Sequence, residues 1–234
     1  MLPGWVFFGF MLAQALVLAL LWGLQELGVS FAAMNEIVFN AAMSAVIYAL
    51  TILLVFGVPW WTQKRRTTRN DIGVQRLPVW MDVVWMPAGL IVYLILTALL
   101  TALATMYLPF VDAGQAQETG FSAVAAQPEY VLAFLSLVII APVAEEVLFR
   151  GYLFGKLRKH LPLWGAVIVT SLLFAVVHFQ WNVGLDVFAL SIALCMLRVV
   201  SGSIWPSIML HMFKNGVAFY FLFINPTLLS TLGG

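Results

Sequence analysis

Three short stretches of this sequence carry groups able to do acid–base chemistry. Ile140-Ala141-Pro142-Val143-Ala144-Glu145-Glu146-Val147-Leu148-Phe149-Arg150-Gly151 sets two adjacent carboxylates and a guanidinium inside an apolar run. Leu172-Leu173-Phe174-Ala175-Val176-Val177-His178-Phe179 ends near an imidazole, and His211-Met212-Phe213-Lys214-Asn215 spaces an imidazole and a carboxamide four residues apart. Glu146 and Arg150 are also four apart with the Glu first, the favoured orientation for a helical ion pair. Glu145 projects about 100° away around the same helix, where no cation stands four residues on. Phe174 and His178 share a helix face, as do His211 and Asn215. A carboxylate and a neutral imidazole at one depth can hold a water and take its proton. An imidazole N–H and an amide N–H₂ aimed at one point can stabilise an oxyanion. These are the parts of a peptide-bond hydrolase that works without a covalent intermediate. Glu145, His178, His211 and Asn215 are its candidate catalytic residues, with Glu146 and Arg150 supporting them.

Other chemistries fit less well. There is no Gly-x-Ser-x-Gly turn, and Cys195 has no His or Asn within its own helix, so a covalent nucleophile is not indicated. A single cysteine excludes an internal disulfide and a cysteine-based zinc cage. Glu145, His178 and His211 are of the types that hold a catalytic zinc with an open position. The His-Glu-x-x-His spacing of zinc peptidases is absent, however, so the cofactor reading is none or zinc. Intramembrane Glu and His also build proton relays, but the inverted repeat common in transporters is not evident.

These groups must be positioned by membrane helices. The chain has 234 residues, 63% hydrophobic and only 9% charged, with a mean hydropathy of +1.03. A soluble domain is nearer half apolar and a quarter charged. The formal charge of +1 gives no basic footprint for nucleic acid; the lipid bilayer is the expected surroundings. Apolar runs predict an all-α, polytopic bundle of about seven transmembrane helices, near 4–24, 34–58, 80–108, 130–153, 163–180, 184–200 and 204–225. All nine tryptophans fall close to the proposed ends, as the headgroup zone prefers. Lys64, Arg65, Arg66, Arg69 and Arg76 crowd one loop and Lys156, Arg158 and Lys159 another, whereas 109–129 holds Asp112, Glu118 and Glu129 without a cation. The positive-inside rule sets the basic loops in the cytosol, the amino terminus inside and the carboxyl terminus outside.

The first span lacks a basic n-region and has too long an apolar stretch for a signal peptide, so it reads as an uncleaved helix. The segment 109–129 reads as an external linker. It divides residues 1–125, three spans with almost no buried polar groups, from 126–230, four spans that hold nearly all of them. Glu145 and His178 each lie roughly 16 residues from the turn at Leu161 and Pro162, about 25 Å along each arm, so a helical hairpin brings them to one depth. Arg198 reads as a snorkelling side chain, and Asp186 as an acid suited to a helix N-terminus.

With Glu145-Glu146…Arg150, Phe174…His178 and His211…Asn215 in that order, the chain resembles the CPBP family of CAAX-prenyl-protease and bacteriocin-processing membrane peptidases. That family carries Glu-Glu-x-x-x-Arg, Phe-x-x-x-His and His-x-x-x-Asn on successive core helices. The flanking Arg150-Gly151-Tyr152-Leu153-Phe154 and Ser171-Leu172-Leu173-Phe174 look like its bacterial branch, and the resemblance covers about 130–225. It implies that Glu145 and His178 activate the water, that His211 and Asn215 hold the oxyanion, and that Glu146 and Arg150 support the site. It implies an intramembrane endopeptidase of a bacterial cytoplasmic membrane, cleaving a membrane-associated peptide or protein. The family has been read both as metalloendopeptidases and as metal-independent glutamate peptidases. Membrane cleavage is better supported than CAAX-box processing, because prenyl endopeptidases look like eight-helix bundles. The alternative is a non-catalytic immunity or secretion accessory protein on the same fold.

Overall fold

A computed structural model describes residues 4–108, 119–121 and 123–228; Asp112 and Glu118 of the expected linker lie outside them. Among the described residues every regular element is helical. In chain order these are α1 (Trp5–Glu26), α2 (Glu36–Gln63), a one-turn α3 (Arg69–Ile72), α4 (Trp80–Tyr107), α5 (Gln127–Leu157), α6 (Leu163–Val176), α7 (Trp181–Ser201) and α8 (Trp205–Ile224). Six of them are long and apolar enough to cross a bilayer, by length and composition. The chain is an integral, multi-pass membrane protein.

The span expected at 163–180 is the difference. It is the 14-residue α6, about 21 Å long at 1.5 Å per residue, short of the roughly 30 Å hydrocarbon core. The helix tightens at its end, where His178 N–H and Phe179 N–H reach back only three residues, to Ala175 and Val176. Phe179 then adopts φ +52°, a left-handed conformation uncommon for a bulky residue. Such strained backbone clusters at functional sites, and here it follows directly on His178.

Two compact units emerge. The first gathers residues 4–7, 67–108 and 145–211, that is α3, α4, the latter part of α5, α6, α7 and the start of α8. Its apolar core is Tyr93, Ala189, Leu190, Ala193, Leu194, Leu197 and Leu210. Gly89 allows the close packing there, since a Cβ on it would meet Leu197 at 2.7 Å and Leu210 at 2.9 Å. Small residues serve this purpose where lipid offers no hydrophobic drive between helices. The second unit holds 8–66, 119–121, 123–144 and 212–228, with a core of Ile37, Ala41, Phe121, Ala133, Val138 and Phe219. In it Asn35 caps α2 by accepting from the Ile37 and Val38 N–H groups. Glu129 caps α5 through the Ala125 and Ala126 N–H groups and accepts from the Asn35 amide at 2.6 Å.

Helix α5 changes winding twice, to π geometry over Leu135–Ile140 and again over Val147–Leu153. The first widened stretch runs up to Pro142, which has no N–H for an α-helical bond. The second begins immediately after Glu146 and carries Arg150. Wide turns of this kind occur mostly as local features and frequently at functional sites.

The basic loop between α2 and α4 is a built element. Thr68 and Asp71 form a capping box around α3, and Gly73 closes it at φ +78°. The α3 backbone seats on two glycines one turn apart on α5. A Cβ on Gly151 would lie 3.0 Å from the Ile72 carbonyl oxygen, and one on Gly155 would lie 2.9 Å from that of Asp71. Beyond α3, the Gly73 carbonyl accepts from Ile204 N–H and Ser203 Oγ, and the Arg76 carbonyl from Trp205 Nε1.

Candidate active site

The site is organised from Glu146 outward. Its side chain and that of Arg150 are both completely buried, and Arg150 Nη1 donates to Glu146 Oε1 at 2.9 Å. The pair that the spacing predicts therefore forms. The same Oε1 accepts from His211 Nδ1, also at 2.9 Å, so one carboxylate oxygen links α5 to α8. Arg150 lies over the face of Phe174, its guanidinium carbon 4.2 Å from the ring centroid. Phe174, wholly buried, also meets His178 edge-on at 5.0 Å, His211 at 5.9 Å and Phe149 at 4.9 Å. One apolar ring thus gathers both histidines and the arginine.

Hydrogen bonding fixes which ring nitrogen is which. His178 Nδ1 lies 2.8 Å from the Phe174 carbonyl oxygen. A carbonyl only accepts, so Nδ1 carries the hydrogen. His211 Nδ1 faces the arginine-paired Glu146 carboxylate and is likewise the donor. His211 Nε2 stands 3.7 Å from Oε2 of Glu145, whose side chain is 13% exposed.

Glu145, Glu146, Arg150, His178 and His211 all belong to the first unit. Asn215 is described with the second, one helical turn beyond His211 on α8, and its amide donates to the Leu137 carbonyl at 2.9 Å. Leu137 lies in the widened stretch of α5.

Comparison with known proteins follows this geometry. The sequence model of one family, described as type II CAAX prenyl endopeptidase Rce1-like, matches residues 127–217. All seven motif residues lie within it. The match covers somewhat under half of the chain. An uncharacterized 24.3 kDa protein of Escherichia coli is 32% identical over 90 residues, 36% of this chain and 42% of that protein. The UPF0177 protein YxdF of Lactococcus lactis subsp. lactis is 26% identical over 134 residues, 56% of this chain and 70% of that protein. The chain thus spans less than half of the first relative's length. No solved structure matches it.

The zinc reading of this family can be weighed against the side chains. A catalytic zinc needs three protein ligands, and among the described residues no three His, Cys, Asp or Glu side chains gather closely enough to hold a metal ion. Glu146 Oε1 and both Nδ1 atoms are occupied by protein hydrogen bonds.

Several polar groups sit elsewhere than the sequence indicates. Asp82 is fully buried, though the N-terminal half reads as almost free of such groups. It accepts from both terminal nitrogens of Arg76, at 2.6 and 2.7 Å, and from Val79 N–H. The hint was an acid at the third position of α4, where it also caps the helix. Arg198 reaches from α7 to the basic loop. Its guanidinium is tucked against Gly73, where a Cβ would stand 2.6 Å from its central carbon. Asp186 accepts from Tyr93 Oη at 2.6 Å and Thr97 Oγ1 at 3.2 Å. In the basic loop, Asp71 pairs with Lys159 at 2.9 Å. The Thr68 backbone N–H, followed by Lys159, holds the Asp71 carboxyl well below the ordinary carboxylate range.

Proposed function

We propose that this protein is an intramembrane endopeptidase that hydrolyses a peptide bond in a membrane-associated peptide or protein, with its catalytic core in 126–230. The supporting observation is the run Arg150–Glu146–His211–Glu145, in which each side chain positions the next. A water between Glu145 Oε2 and His211 Nε2 donates to both and turns a lone pair toward a carbonyl carbon. Glu145 takes one proton as hydroxide equivalent attacks, and the imidazole stabilised by Glu146 accepts hydrogen bonding from the other. General-base help of this kind contributes about 10²–10⁴ in rate.

We assign His211 a share in activating the water: held through Nδ1 by Glu146, it offers Nε2 beside Glu145. Asn215, one turn beyond His211 on the same helix, is the candidate oxyanion donor, with one amide hydrogen besides that of its Leu137 bond. His178, whose Nδ1 is committed to Phe174, carries the proton on through Nε2 to the leaving amine. The family match and the multi-pass fold favour substrates presented at or within a bacterial cytoplasmic membrane.

The test is purified protein with a mixed peptide library, alongside Glu145→Gln, each with and without a chelator. Cleavage by the wild type that persists in chelator and falls at least about 100-fold in Glu145→Gln is expected. A Glu145→Gln protein that still cleaves at the wild-type rate refutes the mechanism. A folded wild type that cleaves nothing points to the accessory-protein alternative.

A further inference from the structure

Behind the Glu146–Arg150 pair lies a set of polar groups that the mechanism does not use. Arg150 donates only through Nη1; its Nε and Nη2 are completely buried and have no hydrogen-bond partner, and neither has Glu146 Oε2. Three hydroxyls share this condition: Thr170 and Ser171 on α6, and Ser191 on α7, all fully buried. Other hydroxyls of this chain behave differently. Thr51, Thr62, Thr105 and Ser201 each bond the carbonyl one turn back on their own helix, at 2.7–3.0 Å. Thr170, Ser171 and Ser191 make no such bond.

Their placement points one way. Arg150 lies ten residues before His160 and Ser171 ten after Leu161, so the α5–α6 hairpin sets them side by side. Thr170 and Ser171 are one turn from Phe174, the ring that carries the guanidinium. Ser191 is one turn from Cys195, whose thiol interacts with both Ser191 and Arg150. Donors (Arg150 Nε and Nη2), an acceptor (Glu146 Oε2) and three hydroxyls that do either are thus buried in the same unit, at one level of the α5–α6 hairpin or within a turn of Cys195 on α7. Buried polar groups are bonded to protein or to ordered water as a rule, and a water with two to four polar partners is stable in such a place.

We infer that this region is a hydrated polar chamber, in which ordered water links Thr170, Ser171 and Ser191 to Arg150 and to Glu146 Oε2. The three hydroxyls are positioning residues. They act through Arg150 and Glu146 to hold His211 with its hydrogen on Nδ1. The inference builds on the role proposed for His211, but two of its readouts need no substrate.

The first readout is a crystal structure of the purified full chain at a resolution that shows water. Density for water within hydrogen-bond distance of Arg150 Nε or Nη2 and of one of the three hydroxyls is expected. Hydroxyls turned onto their own helix carbonyls, with no water at Arg150, overturn the inference. The second is ¹⁵N-imidazole NMR of His211 in micelles, for wild type, Thr170→Val/Ser171→Ala/Ser191→Ala, Ser171→Thr, and Thr51→Val as a control. The triple variant is expected to raise the Nε2–H tautomer about 10-fold, comparable to loss of an outer hydrogen-bond partner of a working histidine. Ser171→Thr and Thr51→Val keep the wild-type spectrum. A triple variant with the wild-type tautomer overturns the inference; if it does not fold, Ser171→Ala and Ser191→Ala are read singly by the same criterion. Peptide cleavage separates the two ideas. A tautomer that responds as expected, in a wild type that cleaves nothing, keeps the chamber and removes the peptidase.

Discussion

Breaking the buried ion pair from one side and then from both tests the central arrangement quantitatively. Glu146 and Arg150 have no exposed side-chain surface, so removing either partner strands a charge in a low-dielectric interior. Glu146→Met leaves Arg150 without its carboxylate, beside the Phe174 face and the Cys195 thiol. Arg150→Met leaves Glu146 with only His211. Stranding one member of a buried pair costs about 3–5 kcal/mol. Replacing both by apolar residues of similar volume is often neutral, but here His211 Nδ1 also loses its acceptor, which costs about 1–3 kcal/mol. The double variant is therefore expected about 1–3 kcal/mol below wild type and clearly more stable than either single one. Cleavage should not recover with it, because the tautomer of His211 is no longer held; a loss of about 100-fold or more is expected. Reversible unfolding in mixed micelles measures the stabilities, and the peptide-library assay measures activity. A double variant as unstable as the sum of the singles shows that the two side chains do not interact as described. A double variant that cleaves at the wild-type rate shows that Glu146 does not orient the histidine.

Three further outcomes follow from the packing. Gly155→Ala places a methyl 2.9 Å from the Asp71 carbonyl oxygen, a backbone atom with little room to yield, and is expected to cost about 1–3 kcal/mol, read as a lowered melting temperature. Asp71→Asn removes a carboxylate whose folded pKa is depressed by the Thr68 N–H and by Lys159. Its contribution, about 1 kcal/mol, is fully present above the unfolded value near 3.9 and is lost as pH falls through the lower folded one. Melting curves should show the wild-type advantage constant from pH 8 to 5 and shrinking in stronger acid; an advantage that grows on acidification contradicts this. Tyr93→Phe removes the 2.6 Å donor to Asp186, and a loss of about 1.5–3 kcal/mol is expected; an unchanged melting temperature counts against that bond.

What the sequence discloses here is what local periodicity can encode. The Glu146–Arg150 pair is legible because both residues lie on one helix at the spacing that joins them. The membrane helices are legible because lipid demands long apolar runs. The early end of α6 is not, since Val176, Val177 and Phe179 are as apolar as the span before them, and the stop lies in the backbone at Phe179. The widened turns of α5 leave no residue signature beyond Pro142. The burial of Asp82 is hidden because its partner Arg76 comes from a loop that reads as uniformly basic surface. The bond from His211 to Glu146 joins residues 65 positions apart, and no helical period reports on that.

That last contact bears on why so apolar a chain keeps a fully buried carboxylate and guanidinium. A buried ion pair is a weak source of stability, since desolvation takes back most of the Coulomb attraction. Two apolar side chains could pack α5 as well. They could not present an acceptor to His211 Nδ1, and without it the imidazole has no preferred tautomer. Arg150 and His211 meet on one Glu146 oxygen, and in the mechanism proposed that contact directs the Nε2 of His211 toward Glu145. The order of these dependences explains why the two adjacent glutamates differ in exposure, one sealed and one 13% open. In the mechanism proposed, the sealed one sets a direction and the open one acts on the water. On the proposed reading, exchanging those environments would leave the same groups present and the reaction without an aligned base.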